Sequence, residues 1–165
     1  MVTFFESSVP LLLLALLGGQ LQESNDFTVK LEARAASGRQ IAETQRFALD
    51  AESKPRAVLT VKRGQMVDVK WTVTCTTQQA TYQDLLVHCF VVKEAKAGQA
   101  AVPKLDKDVA LESALTMDFN SKDRAKGKLA FKLESPGAYL LRVETMGALS
   151  SAGREFFAAM DVIIE

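Results

Sequence analysis

Ten consecutive residues constrain this chain more than any others. From Met66 to Cys75 the sequence reads MVDVKWTVTC. Val67, Val69, Trp71, Val73 and Cys75 fall on one side of an extended backbone, and Met66, Asp68, Lys70, Thr72 and Thr74 on the other. Side chains alternate with period two only in a strand, and β-branched residues favour that geometry, so this stretch reads as a half-buried strand. Its apolar face carries the only Trp of the chain. Such a face needs a second layer of structure to cover it.

Other segments repeat the pattern. Residues 57–62 (AVLTVK) read as the strand before it, joined as a hairpin through Arg63, Gly64 and Gln65, with Gly64 free to take the positive φ of a tight turn. Residues 27–34 (FTVKLEAR) alternate cleanly, and residues 35–40 read as a turn. Residues 41–51 fit a short helix or a strand over 46–50, of which the strand is the better reading. Residues 108–114 read as one or two helical turns with Asp108 as N-cap. Alternation resumes over 115–119 and 128–133, and residues 120–127 read as a charged turn. Pro136-Gly137 launches a strand with Tyr139, Leu141 and Val143 inward, residues 146–154 are a small-residue loop, and residues 155–164 close the chain as a strand.

Residues 85–92 (LLVHCFVV) differ from the rest. Leu85, Val87, Cys89 and Val91 form one apolar face, and Leu86, His88, Phe90 and Val92 form another, the mark of a strand covered on both sides. With Leu140 and Phe157 from the later strands, the second face forms either an exposed patch for a protein partner or homo-oligomer, or the underside of a chain segment from 41–49 or 105–114.

A chain of 165 residues is long enough for one domain with its own core. Twenty basic residues balance twenty acidic ones, so no overall field steers it to nucleic acid or an anionic membrane. Residues 11–17 (LLLLALL) are too short to cross a bilayer, which takes about 20 apolar residues. They suit the core of a signal peptide spanning residues 1–19, with 20–26 as linker and 27–165 as the domain. The region before them has no Lys or Arg and carries Glu6, which keeps open an uncleaved tail or a misplaced start. Export to a periplasmic or extracellular location is the expectation, with no membrane span after cleavage.

The chemistry-bearing residues are few. A nucleophilic triad needs a base, usually His, and His88 is the only one. Cys89, its neighbour on a strand, points to the opposite face, so His88 reads as a hydrogen-bonded structural residue. A blue-copper site needs a second His; a soft-metal site from Cys75, Cys89 and His88, with Met146 or Met160, would require strand ends to converge. Zinc spacings are absent, and Asp106 with Asp108 is too little for a calcium loop. If the strands holding Cys75 and Cys89 run antiparallel, the thiols lie roughly 13–17 Å apart at the strand rise, beyond the ~7 Å Cα limit of a disulfide; two buried thiols are the alternative. Asp161 sits among apolar neighbours, either as a functional carboxylate or bonded to backbone. Lys122, Arg124, Lys126 and Lys128 form a basic cluster, by default a solvated turn.

Short strands at regular spacing, with turn signals between them, describe an all-β, antiparallel sandwich of about 8–9 strands. The hairpin VKRGQMVDVKWTV and the strand PGAYLLRVE resemble those of bacterial extracytoplasmic immunoglobulin-like and fibronectin-type-III-like domains. The resemblance implies a tyrosine corner at Gly137-Ala138-Tyr139, with the phenol bonded to nearby backbone. It departs from the antibody pattern at Leu141, where a Cys would stand, and at Trp71, which precedes Cys75 on the same strand. The expected structural residues are therefore Trp71, Tyr139, Gly137 and Gly64. The expected function is an exported, non-catalytic module without cofactor, using Leu86, His88, Phe90, Val92, Leu140 and Phe157 as an interface. A small periplasmic copper or other soft-metal carrier is the alternative.

Overall fold

The computed structural model describes residues 27–46, 56–76, 81–98, 109–146 and 156–165. The expected signal segment and linker, and nearly all of the loop at 146–154, lie outside the described residues. Every regular element described is a strand: β1 (Phe27–Ala35), β2 (Gly38–Glu43), β3 (Gln45–Arg46), β4 (Ala57–Val61), β5 (Val67–Cys75), β6 (Tyr82–Glu94), β7 (Val109–Phe119), β8 (Arg124–Phe131), β9 (Gly137–Met146) and β10 (Phe156–Ile164). They form two packed sheets, the smaller ordered β2-β1-β5-β8 and the larger β3-β10-β9-β6-β7, with β4 also paired to β10. This is the expected all-β sandwich.

Alternation in β1 and β5 does what the pattern requires. Phe27, Val29, Leu31 and Ala33 lie beside Cys75, Val73, Trp71 and Val69 in register, and all are buried. Against them the larger sheet sets Val87, Cys89 and Val91 of β6, Leu141 and Val143 of β9, and Ala158, Met160 and Val162 of β10. At one end Phe27 packs between the rings of Tyr82, Phe119 and Phe156, with centroids 4.7, 5.6 and 5.9 Å away. Each large side chain so buried contributes about 1.5–3 kcal/mol.

The expected hairpin between 57–62 and 66–75 is not formed. β4 pairs parallel with β10, Ala57 opposite Met160 through Val61 opposite Ile164, whereas β5 lies in the other sheet. Parallel neighbours need a long connection, and β4 and β10 are separated by most of the chain. The turn at 62–66 therefore carries the backbone from one sheet to the other. It is fixed at both sides: Arg63 N–H donates to Glu165 O at 2.8 Å and Gly64 N–H to Leu133 O at 3.0 Å. Gly64 takes φ +69°, as the turn demands.

Three further corrections concern local structure. Residues 109–114 are not helical but open β7, because each residue from Leu111, opposite Val91, to Met117, opposite Leu85, finds a ladder partner on β6. The turn expected at 35–40 shrinks to Ala36 and Ser37, and β2 begins at Gly38. Gly127, expected in a turn, lies inside β8 opposite Trp71. A Cβ there would sit 2.1 Å from the indole, so the large ring of β5 occupies the space that the missing side chain of β8 leaves. The tyrosine corner is present: the Tyr139 hydroxyl donates to Ser135 O at 2.9 Å.

Candidate functional site

The outer face of the larger sheet carries the sites of interest. Register places Phe90, Arg142 and Ala159 side by side on β6, β9 and β10, with His88, Glu144 and Phe157 in the next row and Val92, Leu140 and Asp161 in the row beyond. The structure thus brings together the expected interface residues His88, Phe90, Val92, Leu140 and Phe157, and places half-buried Leu86 at their margin. It does not expose them. Phe90 and Leu140 are 0 % accessible and Val92 1 %, so the apolar surface expected to receive a partner is buried within the chain. Of the two segments expected to cover it, residues 47–49 and 105–108 lie outside the described residues.

Two ion networks, neither foreseen, lock this face. In the first, Arg56, just before β4, donates from Nη2 to both carboxylate oxygens of Glu94 at 2.9 and 2.7 Å. Its Nε lies 2.7 Å from Asp161 Oδ1. The other oxygen of Asp161 accepts from Gly98 N–H at 2.6 Å, which pins the turn after β6. The Glu94 and Asp161 side chains are 0 % exposed. Burial pushes the Glu94 carboxyl above the usual Glu range, Arg56 opposes that shift, and the charge of Asp161 adds to it. Asp161 is therefore a structural carboxylate serving Arg56 and backbone.

The second network crosses the sheet. Glu112 Oε1 on β7 lies 2.8 Å from His88 Nε2, His88 Nδ1 lies 3.2 Å from Glu144 Oε1, and Glu144 Oε2 lies 2.5 Å from Arg142 Nε. The Arg142 guanidinium stacks 3.9 Å over the Phe157 ring, a favourable cation–π geometry. Both ring nitrogens of His88 face carboxylate oxygens. The expectation that His88 is hydrogen-bonded is met, with Glu112 and Glu144 as its partners. The signal that could have found them is the pair Arg142 and Glu144, charged residues on a strand flanked on both sides by apolar ones.

The alternative metal set is not assembled. Cys89 points into the core and His88 to the outer face, while Cys75 belongs to the opposite sheet. Neither cysteine is in a disulfide and both are buried, and burial pushes Cys89 up to about 12. Among the described residues no group of three or more His, Cys, Asp or Glu could hold a metal ion. Nor is any helix there long and apolar enough to cross a membrane.

The rims of the sheets differ in how they meet solvent. β8, at the edge of the smaller sheet, exposes Arg124, Lys126 and Lys128, so three members of the expected basic cluster lie on a strand rather than in a turn. Beside them a shallow groove of about 390 Å³ mixes Arg34, Lys70 and Lys128 with Glu32 and Asp68. Glu32 is held below the usual range chiefly by its hydrogen bond from Arg39. β7, at the edge of the larger sheet, is different. Over its 11 residues (VALESALTMDF) it has no Lys, Arg, Pro or Gly, and Leu115 is 47 % exposed. Its two acids turn back toward β6, Glu112 to His88 and Asp118 to the N–H of Asp84 at 3.0 Å.

No family model and no curated protein matches the sequence. Solved structures similar to this chain include the C-terminal domain of wzt, at 11 % identity and TM-score 0.44, covering 82 % of this chain and 70 % of that one. A chitin binding domain from Burkholderia pseudomallei is similar at 13 % identity and TM-score 0.40, covering 65 % of this chain and 56 % of that one. The PmoD soluble domain from Methylocystis sp. is similar at 12 % identity and TM-score 0.39, covering 79 % of this chain and 96 % of that one. All three TM-scores lie below 0.5, so what the chain does has to be argued from its own residues.

Proposed function

We propose that this chain is an exported, non-catalytic β-sandwich module that binds a protein partner by strand addition at β7. The observation that carries the reading is the unguarded edge of β7. Edge strands are ordinarily protected by charges, Pro or bulges, because their unpaired N–H and C=O groups invite another strand. β8 follows that rule with three exposed cations, whereas the middle of β7 carries a single charge, Glu112, which is engaged by His88. Strand addition draws affinity from main-chain hydrogen bonds and specificity from alternate side chains, and it needs no acid–base constellation. The carboxylates and the histidine of the outer face are consistent with this role, since they are spent on one another rather than turned toward a cleft. Export rests on the apolar segment at residues 11–17, and the interaction is proposed at the β7 edge rather than at the buried face beside it.

The test is retention of proteins from envelope or secreted fractions on immobilised wild-type and Leu115→Lys protein, with hydrogen-exchange mapping of any stable complex. Leu115 is half exposed, so Lys there leaves the fold intact while placing a charge on the edge. Loss of retention in Leu115→Lys, with new protection confined to β7, is expected. Retention unchanged by the substitution, or protection confined to β2 or β8, overturns the reading.

A further inference from the structure

The free edge of β7 has a symmetry that selects its occupant, and this inference rests on β7 being the binding edge. The β6–β7 ladder is regular from Leu111 to Met117 and irregular at both ends, with register shifts between Tyr82 and Leu85 and between Val91 and Val92. Irregularities of this kind bend and twist a strand away from further pairing, so they guard the ends of β7 and leave a straight segment of seven residues, LESALTM, between them. Ala114 is its centre. Along the described residues, no backbone group of β7 has a hydrogen bond outside the β6 ladder.

The geometry points to a second copy of this chain as the occupant, its β7 antiparallel to the first across a two-fold axis at Ala114. If the two larger sheets are to join into one with their cores on the same side, the axis stands perpendicular to the sheet, and residues directly opposite must share a face. Only registers centred on a residue satisfy this. Centring on Ala114 uses the whole regular segment: Leu111 meets Met117 of the partner, Glu112 meets Thr116, Ser113 meets Leu115, and Ala114 meets itself. Leu111, Leu115 and Met117 then extend the core-side face across the junction. Each Glu112 faces a threonine, so no like charges oppose one another, whereas centring on Leu115 would set Glu112 against Asp118, a destabilising pair. Glu112 is already held by His88, which keeps its carboxylate over the parent sheet and away from the incoming strand. The small side chain at the axis lets the two copies approach closely.

Sedimentation equilibrium of the reduced chain, together with cysteine cross-linking, tests this. Directly opposed strand residues have Cα atoms about 4.5–5.5 Å apart, within disulfide range. Ala114→Cys should therefore give a covalent dimer on mild oxidation, and Ser113→Cys, whose symmetry mate is displaced along the strand, should give at least tenfold less. The native thiols are buried and do not compete. Leu115→Lys should weaken dimerisation at least tenfold, with an unchanged circular dichroism spectrum reporting the fold. A monomer at millimolar concentration, or equal cross-linking at residues 113 and 114, overturns the inference. The first of these outcomes leaves strand addition to a different protein standing, since the retention experiment above measures that separately.

Discussion

Replacing Arg56 by Met keeps most of the side-chain volume and removes the guanidinium that holds Glu94 and Asp161. Both carboxylate side chains are 0 % exposed and the Arg56 side chain is 8 % exposed, so solvent cannot take over its role without opening the strand ends. Breaking a buried ion pair by removing one partner costs about 3–5 kcal/mol, because the remaining charge is left uncompensated. For a domain of this size each kcal/mol lowers Tm by roughly 2–4 °C, so Arg56→Met should melt about 10 °C below wild type. The loss also has a pH signature. Burial holds the folded Glu94 carboxyl above its usual value against the opposition of Arg56, so the native state binds the proton more tightly than the unfolded chain does. A raised carboxyl of this kind costs stability as pH rises from its unfolded value of about 4.3 upward. Without Arg56 the shift grows, and the deficit of Arg56→Met should be smaller at pH 5 than at pH 7. Adding Glu94→Gln and Asp161→Asn should recover more than half of it. Urea unfolding followed by Trp71 fluorescence measures all of this. A deficit under about 1 kcal/mol at pH 7, or one that neither acid nor neutralisation relieves, would refute a buried three-residue charge cluster as the lock on β4, β6 and β10.

Gly127→Ala should cost about 1–3 kcal/mol through overpacking and change Trp71 emission, because its Cβ would meet the indole at 2.1 Å. Gly38→Ala, with nothing within 4 Å of the new Cβ, is the neutral control, and equal effects in thermal melts would contradict the Trp71–Gly127 packing. For the thiols, Cys89 is buried with its ionisation pushed up to about 12, and Cys75 is buried beside Phe27. Since the thiolate is the reactive form, native protein at pH 8 should show no rapidly reacting thiol to a chromogenic disulfide reagent and should show both after denaturation; one fast thiol in the native state would contradict this core.

Strands whose partners are set by local pattern were legible in the sequence, and contacts made at long range were not. The alternation of Val67 to Cys75, the apolar faces of residues 85–92 and the Pro136-Gly137 start of β9 each encode burial residue by residue, and each is found in place. Residues 57–61 alternate equally well, but alternation says which face is buried and not which sheet the strand joins. The β4–β10 pairing depends on residues about a hundred positions away, so a hairpin was the local answer and the wrong one. β7 was obscured because Ala110, Glu112, Ser113 and Ala114 suit a helix as well as a strand, and the ladder to β6 decides between them. The outer face was half legible. Its apolar members were named, but nothing local marked Arg142 and Glu144 as partners until register set them beside His88 and Phe157, and Arg56 gave no local sign of reaching Asp161.

The claim on which the functional account stands is that the outer edge of β7 is open in the single chain. Amide hydrogen exchange by NMR, residue by residue over Leu111 to Met117, tests it directly at low and high protein concentration. On an edge strand alternate amides point away from the ladder, so one set should be protected at every concentration through β6. The other should exchange freely in dilute solution and gain protection only as copies associate. Protection of every β7 amide at the lowest concentration would show that the edge is already covered within the chain, and would contradict the account.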